Sequence, residues 1–203
     1  VLDVYVECSP EPATSEIMWV DGAALTVRPI AITDVERLAR MFERLSPESV
    51  RFRFFAPLPR LPRSTLVRMV DVDHCRRDAL VALDRDEIVA VARYSEVTDD
   101  ARSGAYEAEI AVTVEDAWQH RGVGRRLVRH LGALAVERGY DAFVARILPD
   151  NRAALALMRK LAPGANVKFV GGDYEAHFPL TTSGAPPIRP PRLTSISRVD
   201  RPK

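Results

Sequence analysis

The sequence predicts an α/β (α+β) fold organised as one domain, and three observations carry that expectation. Strand-like and helix-like segments follow one another through the middle of the chain, with no internal repeat. A glycine-punctuated turn, Gln119-His120-Arg121-Gly122-Val123-Gly124, lies directly between a strand and an amphipathic helix. The chain of 203 residues, 47% of them hydrophobic, can bury one sizeable core and still leave tails.

Residues 25–29 read as a first strand, stopped by Pro29. Thr33 with Glu36 spells a capping box ahead of Val35, Leu38, Ala39, Phe42 and Leu45, which share one helix face. A Pro-rich passage over 46–62 sets Phe52, Phe54 and Phe55 beside Arg51 and Arg53, and a short helix is expected at 64–70. Those arginines and aromatics could line an acceptor groove or simply pack the helix pair. Residues 79–84 and 87–94 are strands joined across Arg85 and Asp86, a hairpin by the short polar gap. A strand at 106–114 follows, with Tyr106, Ala108, Ile110, Val112 and Val114 on one face and Glu107, Glu109, Ala111 and Thr113 on the other. Val123, Leu127, Leu131, Leu134 and Ala135 recur at helical spacing up to Arg138, and Gly139 ends the run. A strand at 142–148, a helix at 150–161 stopped by Pro163-Gly164, and two strands at 167–170 and 174–180 complete the order.

The net charge of +1 conceals opposed ends. Asp3, Glu7, Glu11, Glu16 and Asp21 make 1–24 an acidic extension without Lys or Arg. Arg189, Arg192, Arg198, Arg201 and Lys203 make 181–203 a Pro/Arg-rich flexible tail beyond a domain at 25–180. That tail lacks interleaved aromatics and no apolar run reaches membrane length, so neither nucleic acid nor membrane is an expected partner. Cys8 and Cys75 have no ligand spacing and no disulfide framework; two inert thiols in a reducing cytoplasm are expected. His74, His130 and His177 stand isolated, so no metal site is expected.

The turn at 119–124 carries the chemistry. A glycine turn opening a helix gathers free N–H groups at the positive end of the dipole, which suits phosphate oxygens. Without a Cβ, Gly122 and Gly124 let a bulky anion lie on the backbone. Arg121, Arg125 and Arg126 add positive charge there or are solvated surface. No Gly-Lys-Ser/Thr follows, nor a third glycine with a downstream acid, so the usual nucleotide and dinucleotide loops do not fit.

Gln119-x-x-Gly122-x-Gly124, after a strand containing Ala108-Glu109-Ile110-Ala111, resembles the acyl-CoA loop of GNAT acetyltransferases. The element order and the Asn151-led helix are similar to that family too. The resemblance spans about 25–180 and implies a single mixed, mostly antiparallel sheet with helices on both faces. Within the family, bacterial protein lysine acetyltransferases of the Pat type are the nearest likeness. The matching segments are Ser46-Pro47-Glu48-Ser49, Arg53-Phe54-Phe55, Ala79-Leu80-Val81-Ala82 and Leu155-Ala156-Leu157-Met158-Arg159-Lys160-Leu161.

The resemblance implies acetyl-CoA as co-substrate and no metal. Gln119, His120, Arg121, Gly122, Val123, Gly124 and Arg125 would hold its pyrophosphate; Val112, Thr113 and Val114 would pair with pantetheine as an added strand. Asn151 would hydrogen-bond the pantetheine arm, or merely cap its helix. Glu109 corresponds to the family's base; on residue chemistry alone, Glu107 and Glu109 could equally be two carboxylates on a wet strand face. Met158 occupies the place where many small-amine members carry a tyrosine acid. The implied reaction is acetylation of protein lysines, acyl-CoA synthetases among the targets. A small amine, amino acid or antibiotic acceptor, or a non-catalytic acyl-CoA sensor, are the other readings. Many Pat-type proteins carry a fused regulatory domain; none is legible here, so a stand-alone form or a segment of a longer protein is expected.

Overall fold

A computed structural model describes residues 15–97, 106–161 and 165–180. The flexible-tail expectation for 181–203, and most of the extension expected at 1–24, lie outside the described residues. The described chain forms an eight-stranded sheet in the order β1-β2-β3-β4-β5-β6-β8-β7. Its strands are β1 (Glu16–Val20), β2 (Ala23–Pro29), β3 (Arg77–Asp84), β4 (Glu87–Glu96), β5 (Glu107–Val114), β6 (Ala142–Ile147), β7 (Asn166–Val170) and β8 (Asp173–Pro179). Pairing is antiparallel throughout except β5 with β6, which is parallel. This is the mixed, mostly antiparallel sheet expected.

The helices are α1 (Val35–Glu43), α2 (Pro47–Phe54), α3 (Arg63–Val70), α4 (Val123–Glu137) and α5 (Arg152–Leu161). They cover both faces. Leu38, Met41, Leu66 and Met69 from α1 and α3 pack on Ala79, Val81, Leu83 and Val91. Leu127, Leu131 and Ala135 of α4, with Met158 of α5, pack on Leu80, Ala92, Tyr94, Ile110 and Phe143 of the opposite face. Alternate residues of β3 thus enter different cores, which is why Ala79–Leu83 reads as an unbroken apolar run rather than an alternating one.

Four expectations change. The sheet begins at Glu16, not at residue 25: β1 pairs with β2 across an Asp21-Gly22 turn, and Met18 and Val20 are buried. A helix, α2, occupies the front of the Pro-rich passage; Ser46 Oγ caps it by accepting from Ser49 N at 3.2 Å, with Pro47 in the first turn. No Thr33/Glu36 box caps helix 1: Asp34 stands at its N-cap without a side-chain bond to the helix, its Oδ2 accepting instead from Ala31 N at 2.9 Å, and Glu36 meets Arg63. Cys75, buried before β3, is disulfide-bonded and not an inert thiol. The cysteines therefore no longer argue for a reducing compartment. No helix among the described residues is long and apolar enough to cross a membrane.

Candidate active site

β5 and β6 pair over only three positions, Glu107↔Ala142, Ala108↔Phe143 and Glu109↔Val144. Beyond them the strands part, while β4 continues to pair with β5 as far as Val114. Parallel strands that separate leave one edge of β5 from Ile110 to Val114 with unused backbone donors and acceptors, an opening for an extended chain to add as a strand. Thr113 Oγ1, buried in this stretch, has no hydrogen-bond partner among the described residues. An orphaned buried hydroxyl is costly unless something else supplies its partner.

The mouth of the fork is a cavity of about 680 Å³. Val112, Thr113, Val114, Gln119, His120, Arg121, Gly122, Val123, Gly124, Arg125 and Asn151, all singled out in the sequence, line it together. A larger depression of about 870 Å³ beneath the 57–62 segment is lined by Phe42, Leu58, Leu61 and Leu66 and lies away from the loop.

The cradle at the fork is built locally. His120 (φ 61°) and Gly122 (φ 83°) are both left-handed, so the chain turns sharply before α4 starts. The first intrahelical acceptor is Gly122 O, reached by Arg126 N at 3.1 Å. The N–H groups of Val123, Gly124 and Arg125 therefore have no partner within the helix and are available to an anion. A Cβ on Gly122 would meet nothing within 4 Å, so its backbone geometry is what favours glycine. Gly124 has a different reason. A Cβ there would stand 3.2 Å from Val114 Cγ2 and 3.6 Å from Val112 Cγ2. Glycine here lets α4 close on β5, while its N–H remains one of the three open to an anion.

Other predicted residues divide between scaffold and site. Gln119 donates its amide to both Ser49 Oγ and Val114 O at 3.1 Å, tying α2 to the end of β5. Asp116 completes the tie by accepting from Ser46 N, Ser46 Oγ and Ser49 Oγ at 2.9, 2.7 and 2.9 Å. Burial raises the Asp116 carboxyl, but these donors outweigh it and hold it below the usual range. Sequence reading missed this staple because its partners lie about seventy positions apart. Asn151 Oδ1 accepts from Ala154 N at 3.0 Å, so it does cap α5 while its side chain borders the cavity. Arg121 stacks on Trp118 at 5.2 Å, and Arg126 turns away to the Trp19 carbonyl; Arg125 stays exposed at the rim. Met158 is a buried core residue.

Glu109 sits at the last paired position before the fork, exposed, and with no hydrogen bond or ion pair among the described residues. Glu107 on the same face is bound to His177 Nε2 at 2.8 Å. No cluster of potential metal ligands occurs among the described residues.

The sheet thus forks beside a helix N-terminus, with unused donors on both and an exposed carboxylate at the branch. The chain belongs to the GNAT acetyltransferase family, whose profile it matches over residues 39–162. That family uses acetyl-CoA as co-substrate. The GNAT domain of S. lividans PAT is 36% identical, with a TM-score of 0.75, and the match covers 82% of this chain and 97% of that one. The Acetyltransferase Pat of Mycolicibacterium smegmatis is 32% identical over 69% of this chain, which spans only 41% of that protein. Acetyltransferase PA5475 of Pseudomonas aeruginosa is 27% identical over 75% of this chain and 87% of its own length. The chain is thus a GNAT acetyltransferase with Pat-like relatives.

Proposed function

We propose that this acetyltransferase transfers acetyl from acetyl-CoA to the Nε of lysine in target proteins by direct attack, with Glu109 as general base. The observation that carries the reading is the contrast on one strand face: Glu107 is committed to His177, and Glu109 is unengaged at the fork. A lysine ammonium has a reference pKa of about 10.4, so freeing its lone pair at neutral pH costs roughly 4–5 kcal/mol. A carboxylate beside it, acting directly or through one water, takes that proton as the bond forms.

The bound thioester supplies an activated acetyl carbonyl. The chain's residues do the rest. The free edge of β5 and the start of α4 hold pantetheine and diphosphate, and a coenzyme laid along β5 brings the carbonyl towards Glu109, which stands just outside the cavity's own lining. The amine nitrogen forms a bond to the carbonyl carbon, the carbon–sulfur bond breaks, and the amine proton passes to Glu109. The leaving thiolate, with a pKa of about 8.5 by analogy with cysteine, departs with little protonation. That is consistent with Met158 standing where a protein acid would otherwise be needed. Acyl-CoA synthetases are the first proteins to try as acceptors.

The test is to incubate the pure protein with labelled acetyl-CoA and a native lysate. Label on protein lysines is expected. Label recovered only in small molecules would overturn the lysine assignment, and hydrolysis without acceptor labelling would overturn transfer itself.

A further inference from the structure

Arginines around the α1–α3 layer have carboxylate partners: Arg28 and Arg37 on Asp34, Arg40 and Arg44 on Glu87, Arg51 on Asp150. Two half-buried arginines at the fork do not. Arg53, on α2, stacks on Phe54 at 5.1 Å and lines the cavity that holds the glycine loop. Arg93, on β4, has one polar contact, Nη1 to Met69 O at 3.3 Å. Neither makes an ion pair among the described residues.

Register places them with Glu109. Ser95 lies opposite Glu109 and Arg93 opposite Ala111, so Arg93 and Glu109 are diagonal neighbours on one sheet face. Such diagonals are about 7–8 Å apart, within reach of long side chains. Arg53 approaches from α2, which packs on β5, and Arg93 and Glu109 are the two charges it feels. Burial first, then Arg93, lowers Arg53 to about 10, while Glu109 opposes the shift. Burial also lowers Arg93, helped by Arg77, which has its own counter-ion in Asp73 at 3.2 Å.

Two guanidiniums on this side of the sheet, partly out of water, carry donors that the described chain barely uses. Neither guanidinium has a carboxylate of its own in an ion pair among the described residues, which favours an acceptor or donor that brings an anion. A planar carboxylate satisfies two guanidinium forks at once. The diphosphate already has its donors at the start of α4, so it does not account for this pair.

We infer that Arg53 and Arg93 form a carboxylate subsite beside Glu109, filled by a carboxylate within two residues of the acceptor lysine or by the far end of a dicarboxylic acyl chain on the coenzyme. The inference rests on the transferase reading above and names which acceptors or donors that site selects.

Two arms separate the sources. In the first, fluorescent lysine peptides carrying one Glu at each of the four flanking positions are compared with their Gln twins, for binding in the presence of CoA and for rate with acetyl-CoA. In the second, succinyl-CoA is compared with butyryl-CoA, for binding and for rate on an all-Gln peptide. A preference of about tenfold for the carboxylate is expected in one arm. It should collapse towards unity in Arg53→Gln and Arg93→Gln and survive in part in Arg93→Lys, which keeps the charge without the fork. Ratios near one in both arms of the wild type, or a preference untouched by all three substitutions, overturn the subsite. Peptides acetylated equally well would sink the subsite and leave lysine transfer standing. A Glu preference in binding without any acetylation would do the reverse.

Discussion

Glu107 and Glu109 stand two positions apart on one strand face, and their surroundings give them different work. His177 fixes Glu107 at 2.8 Å, whereas Glu109 faces the fork unengaged. Replacing Glu109 by Gln keeps the shape and the hydrogen-bonding capacity but removes the proton acceptor. Turnover should fall by about 10²–10⁴ at neutral pH, the range for loss of a general base, while acetyl-CoA affinity in a calorimetric titration stays near wild type. The variant should recover partly at high pH, where neutral lysine amine becomes available. Glu107→Gln is the control and should matter far less. Near-wild-type rates for Glu109→Gln across that pH range would make Glu109 a solvated strand residue.

The strand–turn–helix unit of β5 and α4 was legible because its chemistry is local: one strand parity and two glycines eight and ten positions beyond Val114 describe it. The structure adds a separate reason at each glycine: Gly122 is set by its φ of 83°, and at Gly124 a Cβ would stand 3.2 Å from Val114 Cγ2. The difference is measurable. Gly122→Asp should weaken acetyl-CoA binding severely, because a carboxylate enters the anion cradle, with the melting temperature lowered only by the left-handed strain, about 1 kcal/mol. Gly124→Ala should act mainly on stability, by pushing Val114 aside. Unchanged coenzyme affinity in a folded Gly122→Asp protein would remove the anion cradle from the loop. α2 was hidden for a different reason: only Val50 of it is buried, so it has no apolar period to read, although its Ser46 cap and Pro47 were in plain view. β1 was hidden by composition, its alternation of buried Met18 and Val20 with exposed Ile17 and Trp19 sitting in a stretch that the charge count marks as an extension. Arg93 reaches the site through strand register, which no local pattern in the sequence records.

Both faces have an apolar core, but they differ in their ionic ties. On the α4 face, packing around Leu127, Leu131, Tyr140 and Phe143 is joined by a buried pair, Arg138 with Asp78 at 2.9 Å. On the α1–α3 face, acidic groups tie helix to strand and loop, and several lie below their ordinary range. Burial raises Asp34, but the Arg28 hydrogen bonds, the Ala31 N–H and the Arg37 charge more than offset it. Asp73 is likewise raised by burial and lowered further by the N–H groups of Arg77, Cys75 and Arg76. Arg40 and then Arg44 lower Glu87, Arg51 lowers Asp150, and the serines lower Asp116. For each, the folded state binds its proton less readily than the unfolded chain, whose carboxyls titrate at about 4. The stability they confer is therefore complete at neutral pH, begins to fail as pH drops below about 5, and is lost through their folded values. Acid should accordingly loosen one face before the other. In hydrogen exchange taken from pH 7 down to 3, corrected for the intrinsic rate, α1 and α2 should lose protection while α4 and β6 still hold theirs. Exposed ties such as Arg40–Glu87 should also weaken in high salt, whereas the Arg28–Asp34 pair, with Asp34 fully buried, should hardly respond. Asp34→Ala isolates that last pair: it leaves Arg28 without its partner and should destabilise by roughly 2–4 kcal/mol, short of the fully buried extreme because Arg28 keeps some water. Uniform acid loss across both faces, or α4 opening first, would mean that the ionic ties follow the packing of this layer instead of holding it.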